Sequence, residues 1–190
     1  MKTPVAKLVG IAISLMAIMA ILAGCSQGVT GASGGTPSDS PSKTASIPAT
    51  TGPSSKSTVA YRPKKVTPQV SGTTVSISAE EVGRNGIENF SVSSPTANMP
   101  FMAYQLDGQY YVRAAVCVPC GSKSFTLKSG TLICDSCKTV FSATTGVGTI
   151  GVSACMTYAK KAAAYTIDGG NIVMNISDLT KAYQDTLNRV

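Results

Sequence analysis

The chain has 190 residues, with 16 basic and 9 acidic side chains, six cysteines and no histidine. The missing imidazole excludes haem attached through C-x-x-C-H, a Rieske cluster in its usual two-histidine form, a Ser-His-Asp triad, and iron sites built on two histidines and a carboxylate. Thiolates are then the only soft ligands, which restricts a bound centre to zinc, iron–sulfur or copper.

The start, "MKTPVAKLVGIAISLMAIMAILAGCSQG", places Lys2 and Lys7 before an apolar run from Leu8 to Ala23. A helix of that length spans about 24 Å, short of the ~30 Å hydrocarbon core, so residues 1–24 read as a cleaved export signal. The longer stretch from Val5 to Gly24 could just span as an uncleaved anchor. The end of the run, "LAGC", resembles a bacterial lipobox. That resemblance implies acylation of Cys25 as the first mature residue, which would hold the protein to a cell membrane on its extracytoplasmic face. A thiol is a good acyl acceptor, and stable anchoring takes more than one chain.

Residues 25–73 are dominated by Ser, Thr, Gly and Pro, and read as a disordered tether that cannot bury enough apolar surface to offset its ordering entropy. As a flexible coil it would reach roughly 40 Å. Five of the basic residues fall here (Lys43, Lys56, Arg62, Lys64, Lys65) against Asp39 alone. From Thr74 onward the chain is nearly neutral, so no nucleic-acid partner is expected.

Residues 74–190 are the expected domain, one core's worth of chain. "TVSIS" (Thr74 to Ser78) and "ENFSV" (Glu88 to Val92) read as strands. Hairpins are expected around Asp107-Gly108, Ser129-Gly130 and Asp168-Gly169-Gly170, where turn residues separate strand-like runs. One helix closes the chain, capped by Asn175 or Ser177, with Leu179, Ala182, Tyr183, Leu187 and Val190 as its apolar stripe. The expected class is α+β and β-rich, a small hairpin-built domain (Rieske-like or zinc-ribbon-like) with a C-terminal helix.

Cys117, Cys120, Cys134 and Cys137 form C-x2-C-x13-C-x2-C. A tight turn after the first Cys of each pair lets both sulfurs point at one centre, and two such knuckles joined by a hairpin complete a four-thiolate site. Disulfides are the alternative in an exported chain. A thioredoxin-like pair is disfavoured because Cys120 leads into Gly121 and a hairpin rather than a helix. Cys155 in "GVSAC" is an extra ligand, a substitute ligand or an inert thiol. "GVGTIG" (Gly146 to Gly151) matches a dinucleotide fingerprint only in letters, having no strand–helix context, and reads as a bare loop passing near the sulfurs. The acids Glu80, Glu81, Asp107, Asp135, Asp168 and Asp178 are placed at turns or caps and nothing pairs them for acid–base work, so an enzyme is the least favoured class.

The stretch from Tyr110 to Cys155 resembles the membrane iron–sulfur, FtrD-like domain family. Its elements are a strand with Arg113, C-x-x-C with Gly121 and Phe125, a second C-x-x-C, Phe141, and a Gly-rich run ending in Cys155. The resemblance implies an iron–sulfur centre on Cys117, Cys120, Cys134 and Cys137, with Cys155 as a further candidate, and a link to bacterial ferrous-iron uptake. Arg113, Phe125 and Phe141 would pack round the centre. The order of motifs resembles the layout of Rieske domains more loosely, with thiols in the histidine places. Two functions follow as expectations. One is a lipid-tethered redox carrier working with a membrane redox or iron-transport partner, and the other is a zinc-ribbon-like binding module at the cell surface.

Overall fold

The computed structural model describes residues 52–94 and 97–190. Cys25, the apolar N-terminal run and the first half of the expected tether lie outside the described residues.

Thirteen strands and three helices make up this part. In chain order they are β1 (Ala60–Tyr61), β2 (Lys64–Lys65), β3 (Gln69–Ser71), β4 (Thr74–Ser78), α1 (Ala79–Asn85), β5 (Ile87–Ser93), β6 (Asn98–Leu106) and β7 (Gln109–Ala114). Then follow β8 (Phe125–Lys128), β9 (Thr131–Cys134), β10 (Val140–Ser142), β11 (Gly148–Ile150), α2 (Ser153–Met156), β12 (Thr166–Asp168), β13 (Asn171–Asn175) and α3 (Ile176–Leu187). They form three sheets, ordered β2-β5-β6-β7, β12-β13-β4-β3 and β1-β8-β9-β10-β11. All pairings are antiparallel except β2 with β5.

Strand β6 explains the layering. Side chains alternate between sheet faces, so a strand covered on both sides reads as a continuous apolar run. Met99, Phe101 and Ala103 enter one core with the β4–β13 sheet, α1 and α3. Met102, Tyr104 and Leu106 enter a second core with Phe125, Leu127, Leu132 and Phe141 of the hairpin sheet. The sheet holding β6 is therefore the middle layer, and the cysteines belong to the second core. Burying Phe101 and Tyr104 completely contributes about 2 kcal/mol each.

All three expected hairpins form, at β6–β7, β8–β9 and β12–β13. The expected tether boundary at Thr74 needs correction. Strand β1 pairs with β8, β2 with β5 and β3 with β4. Further upstream the Pro53 carbonyl accepts from Asp107 N–H at 2.9 Å, and Ser55 N–H donates to Asp107 Oδ1 at 3.0 Å. Edge strands join a sheet through backbone hydrogen bonds, so a polar composition did not forbid them; Tyr61 and Val66 supply the partly buried contacts.

The expected closing helix forms as α3, and two shorter helices, α1 and α2, precede it. The start of α1 is a capping arrangement, with Ser78 Oγ accepting from Glu81 N–H at 3.2 Å, and Gly86 at φ 80° ends it. The stripe of α3 differs at its end. Leu179 and Ala182 are buried as expected, but Leu187 and Val190 are exposed and Thr186 is buried instead. Thr186 Oγ1 accepts from Lys161 N–H at 2.9 Å, which ties the helix to the segment beside the cysteines.

Candidate metal centre

The two C-x-x-C pairs fold into matching knuckles. In the first, Gly121 N–H donates to the Cys117 carbonyl at 2.8 Å and Cys117 N–H to the Ser122 carbonyl at 2.8 Å. In the second, Lys138 N–H donates to the Cys134 carbonyl at 3.0 Å and Cys134 N–H to the Thr139 carbonyl at 2.9 Å. Each knuckle needs a left-handed residue after its second Cys, Gly121 at φ 71° and Lys138 at φ 60°. The hairpin β8–β9 holds the knuckles together, and Asp135 locks it: Thr126 Oγ1 donates to Asp135 Oδ1 at 2.7 Å and Ser124 Oγ to Oδ2.

The four sulfurs converge within 4.8 Å of one another. Cys117 Sγ is 3.9 Å from Cys137 Sγ, and Cys120 Sγ is 3.7 Å from Cys134 Sγ. No described cysteine is in a disulfide. Cys117 and Cys134 are buried, Cys137 is half-buried and Cys120 is exposed, so the centre has a dry side and an open side. Burial pushes the Cys117 thiol up, reinforced by hydrogen bonds with Cys120 and Cys155 and opposed by Lys160. Cys134 is likewise raised by burial, against which the backbone N–H groups of Cys137 and Ser136 favour its thiolate. Burial alone would raise Cys137 too, but hydrogen bonds from the Thr139 hydroxyl and N–H and from Cys134 and Cys120 bring it down to about 6. Its sulfur lies 3.1 Å from Thr139 Oγ1.

Phe125 and Phe141 meet edge-on at 6.0 Å in the same buried cluster as Cys117 and Cys134, where they keep water from the inner sulfurs. Arg113 is buried one layer back. Its Nε donates to Tyr104 Oη at 2.9 Å and its Nη atoms to the carbonyls of Thr144, Thr145 and Lys160, so it braces the Gly-rich loop rather than the sulfurs. That loop does pass beside the site. A Cβ at Gly151 would fall 2.7 Å from Thr139 Cα, and one at Gly146 only 2.1 Å from the Lys160 carbonyl oxygen.

Cys155 is buried on α2, in the same cluster and near enough to influence Cys117, but outside the group of four. Sequence reasoning missed Lys160. It is fully buried, with Nζ 4.3 Å from the Phe141 ring centre and 5.9 Å from that of Phe125. Nothing in "AKKAAA" separates it from Lys161, which stays partly exposed.

The described residues thus form a β-rich domain with one four-thiol centre. The sequence model of the family described as membrane iron-sulfur containing protein FtrD-like matches residues 82–185, more than half of the chain, and the chain belongs to that family. No curated protein matches it. Among solved structures it is similar to a chain from the "Complex of reduced oxygenase and oxidized ferredoxin in carbazole 1,9a-dioxygenase", with TM-score 0.45 and 16% identity over 56% of this chain and 95% of that one. It is also similar to the plasma membrane Rieske protein PetC3 of the cyanobacterium Synechocystis PCC 6803, with TM-score 0.38 and 17% identity over 52% and 94%.

The donor set fits the family's cofactor, because four thiolates without imidazole are the ligands of all-cysteine [2Fe–2S] and [4Fe–4S] clusters. The protein is an iron–sulfur protein of a membrane family. Among the described residues no helix is long and apolar enough to cross a membrane.

Proposed function

We propose that this protein is a lipid-anchored, extracytoplasmic redox carrier, with Cys117, Cys120, Cys134 and Cys137 holding its iron–sulfur cluster and Cys25 carrying the lipid. It exchanges single electrons with a membrane partner and has an accessory role in iron uptake. The observation that carries this reading is the convergence of four sulfurs in a member of an iron–sulfur family. A bound cluster supplies one-electron oxidation and reduction.

The chain's own residues divide the work. Cys117 and Cys134 are buried, while exposed Cys120 marks the side a partner can approach. Backbone N–H groups of the second knuckle and Thr139 stabilise thiolate charge, and such hydrogen bonds to sulfur tune a cluster's potential. The polar segment ahead of residue 52 supports the reading of a leash between lipid and domain.

The test is anaerobic purification with counts of iron and acid-labile sulfide per chain. The expected protein is brown and gives an EPR signal on reduction; Cys25→Ser should move it from the membrane fraction to the soluble one. A deletion strain should take up ferrous iron more slowly. Colourless protein with neither iron nor sulfide would overturn the reading. One observation favours a second reading, a structural zinc in a surface binding module. The 3.7 and 3.9 Å sulfur separations match the edge of a tetrahedron with metal–sulfur bonds of about 2.3 Å, an edge of about 3.8 Å. One zinc per chain without sulfide would establish that alternative.

A further inference from the structure

We infer that Lys160 is a fixed positive charge behind the four-thiolate centre that raises its reduction potential. This rests on the cluster assignment just proposed and extends it to a tuning residue outside the ligand set.

Lys160 is a buried cation without a carboxylate partner among the described residues. Lys160 is 0% exposed. Its ammonium donates to the Tyr158 carbonyl at 2.5 Å and faces the rings of Phe141 and Phe125. The carboxylate ion pairs among the described residues are Arg84–Glu80 and Lys181–Asp185, both on exposed helix surfaces, so no carboxylate neutralises Lys160. A carbonyl and two aromatic faces compensate only part of the cost of removing an ammonium from water. Methionine would fill the same slot between the rings without that cost. Burial pushes the Lys160 pKa down, and the charges that oppose this and favour its ammonium are those on the sulfurs of Cys117, Cys134, Cys155 and Cys120.

Its position is secured from both sides of the backbone. Lys160 N–H donates to the Gly146 carbonyl at 2.8 Å, and the Lys160 carbonyl accepts from Arg113 Nη1 at 2.7 Å. The charge is therefore held at one place in a dry environment, where Coulomb interactions are weakly screened. Reduction adds one negative charge to the centre. A fixed cation stabilises the reduced form more than the oxidised form, so the potential rises.

The test is a redox titration of the anaerobically purified full chain, followed by EPR and visible absorption, for wild type, Lys160→Met, Lys160→Arg and Lys161→Met. With iron and sulfide counts equal to wild type, Lys160→Met should shift the midpoint to a lower potential. Lys160→Arg should stay near wild type, and Lys161→Met should leave the midpoint unchanged. A loaded Lys160→Met protein titrating at the wild-type midpoint overturns the inference. If Lys160→Met holds no cluster, Lys160→Arg decides: loading restored by arginine upholds the requirement for a cation, and loading lost in both overturns it. Wild-type protein without iron or sulfide would instead sink the cluster assignment, so the two failures are distinct.

Discussion

Arg113 Nη1 donates to the carbonyl oxygen of Lys160 at 2.7 Å, joining residues 47 apart in sequence. The same guanidinium reaches Tyr104 Oη and the carbonyls of Thr144 and Thr145. One planar fork thus pins strand β7, the Gly-rich loop and the segment after α2 in one arrangement. Lysine has a single ammonium on a flexible stem and cannot span these acceptors. Arg113→Lys should lower stability by about 3 kcal/mol or more, since hydrogen bonds to charged groups are worth roughly 1.5–3 kcal/mol each. The check is a urea midpoint that falls with unchanged slope.

Two left-handed turn positions should respond in opposite directions. Gly146 has φ +75°, and a Cβ there meets the Lys160 carbonyl oxygen at 2.1 Å and Arg113 Nη1 at 2.7 Å. Gly146→Ala should cost about 3 kcal/mol or more, because backbone rather than a flexible side chain is in the way. Lys138 already carries a side chain at φ 60° in the second knuckle. Lys138→Gly should stabilise by about 0.5 kcal/mol, the relief of left-handed strain exceeding glycine's entropic cost. Thermal unfolding of both variants reads the two signs.

Cys155 lies outside the convergent four, although it shares their buried cluster. Cys155→Ser should therefore keep the full iron count with a small change in the EPR spectrum, whereas Cys117→Ser and Cys134→Ser should lose iron. Metal analysis of the three variants settles the ligand set. Iron lost from Cys155→Ser would add that thiol to it.

Glu88 is 1% exposed, accepts from Asn85 Nδ2 at 2.6 Å through Oε1, and leaves Oε2 without a partner. Burial raises its pKa, with Glu81 adding repulsion and Asn85 and Lys64 opposing. A raised folded-state pKa means that ionisation costs more in the folded than in the unfolded chain. Stability associated with the protonated form is complete below the unfolded value, near 4.5, and is lost as pH rises through the folded one. Glu88→Gln should match wild type at pH 3 and exceed it by about 1 kcal/mol at pH 7, the scale of an unsatisfied buried acceptor. Denaturant titrations at the two pH values check this; an advantage confined to low pH would refute it.

The hairpins and both knuckles were legible because their causes are local. Asp107-Gly108 and Ser129-Gly130 occupy turns whose positive φ favours such residues, and C-x-x-C sets its own turn within a few bonds. Strands β1–β3 are not legible in a tether-like composition, because an edge strand is recruited by a neighbour's open backbone groups and leaves little mark on composition. Helix α1 carries a local signal in its Ser78–Glu81 capping pair, but at 7 residues it is too short to show an apolar period.

The amino-acid order by itself determined that soft-metal chemistry would fall to thiolates, and that two Cys pairs flanking a hairpin could supply them. Only the tertiary structure decided which lysine is buried against the rings of Phe125 and Phe141, that Arg113 braces the loop instead of the sulfurs, and that Cys155 stays outside the convergent group. Turn geometry comes from steric limits on neighbouring residues, whereas the burial of one charge beside another depends on how three sheets stack.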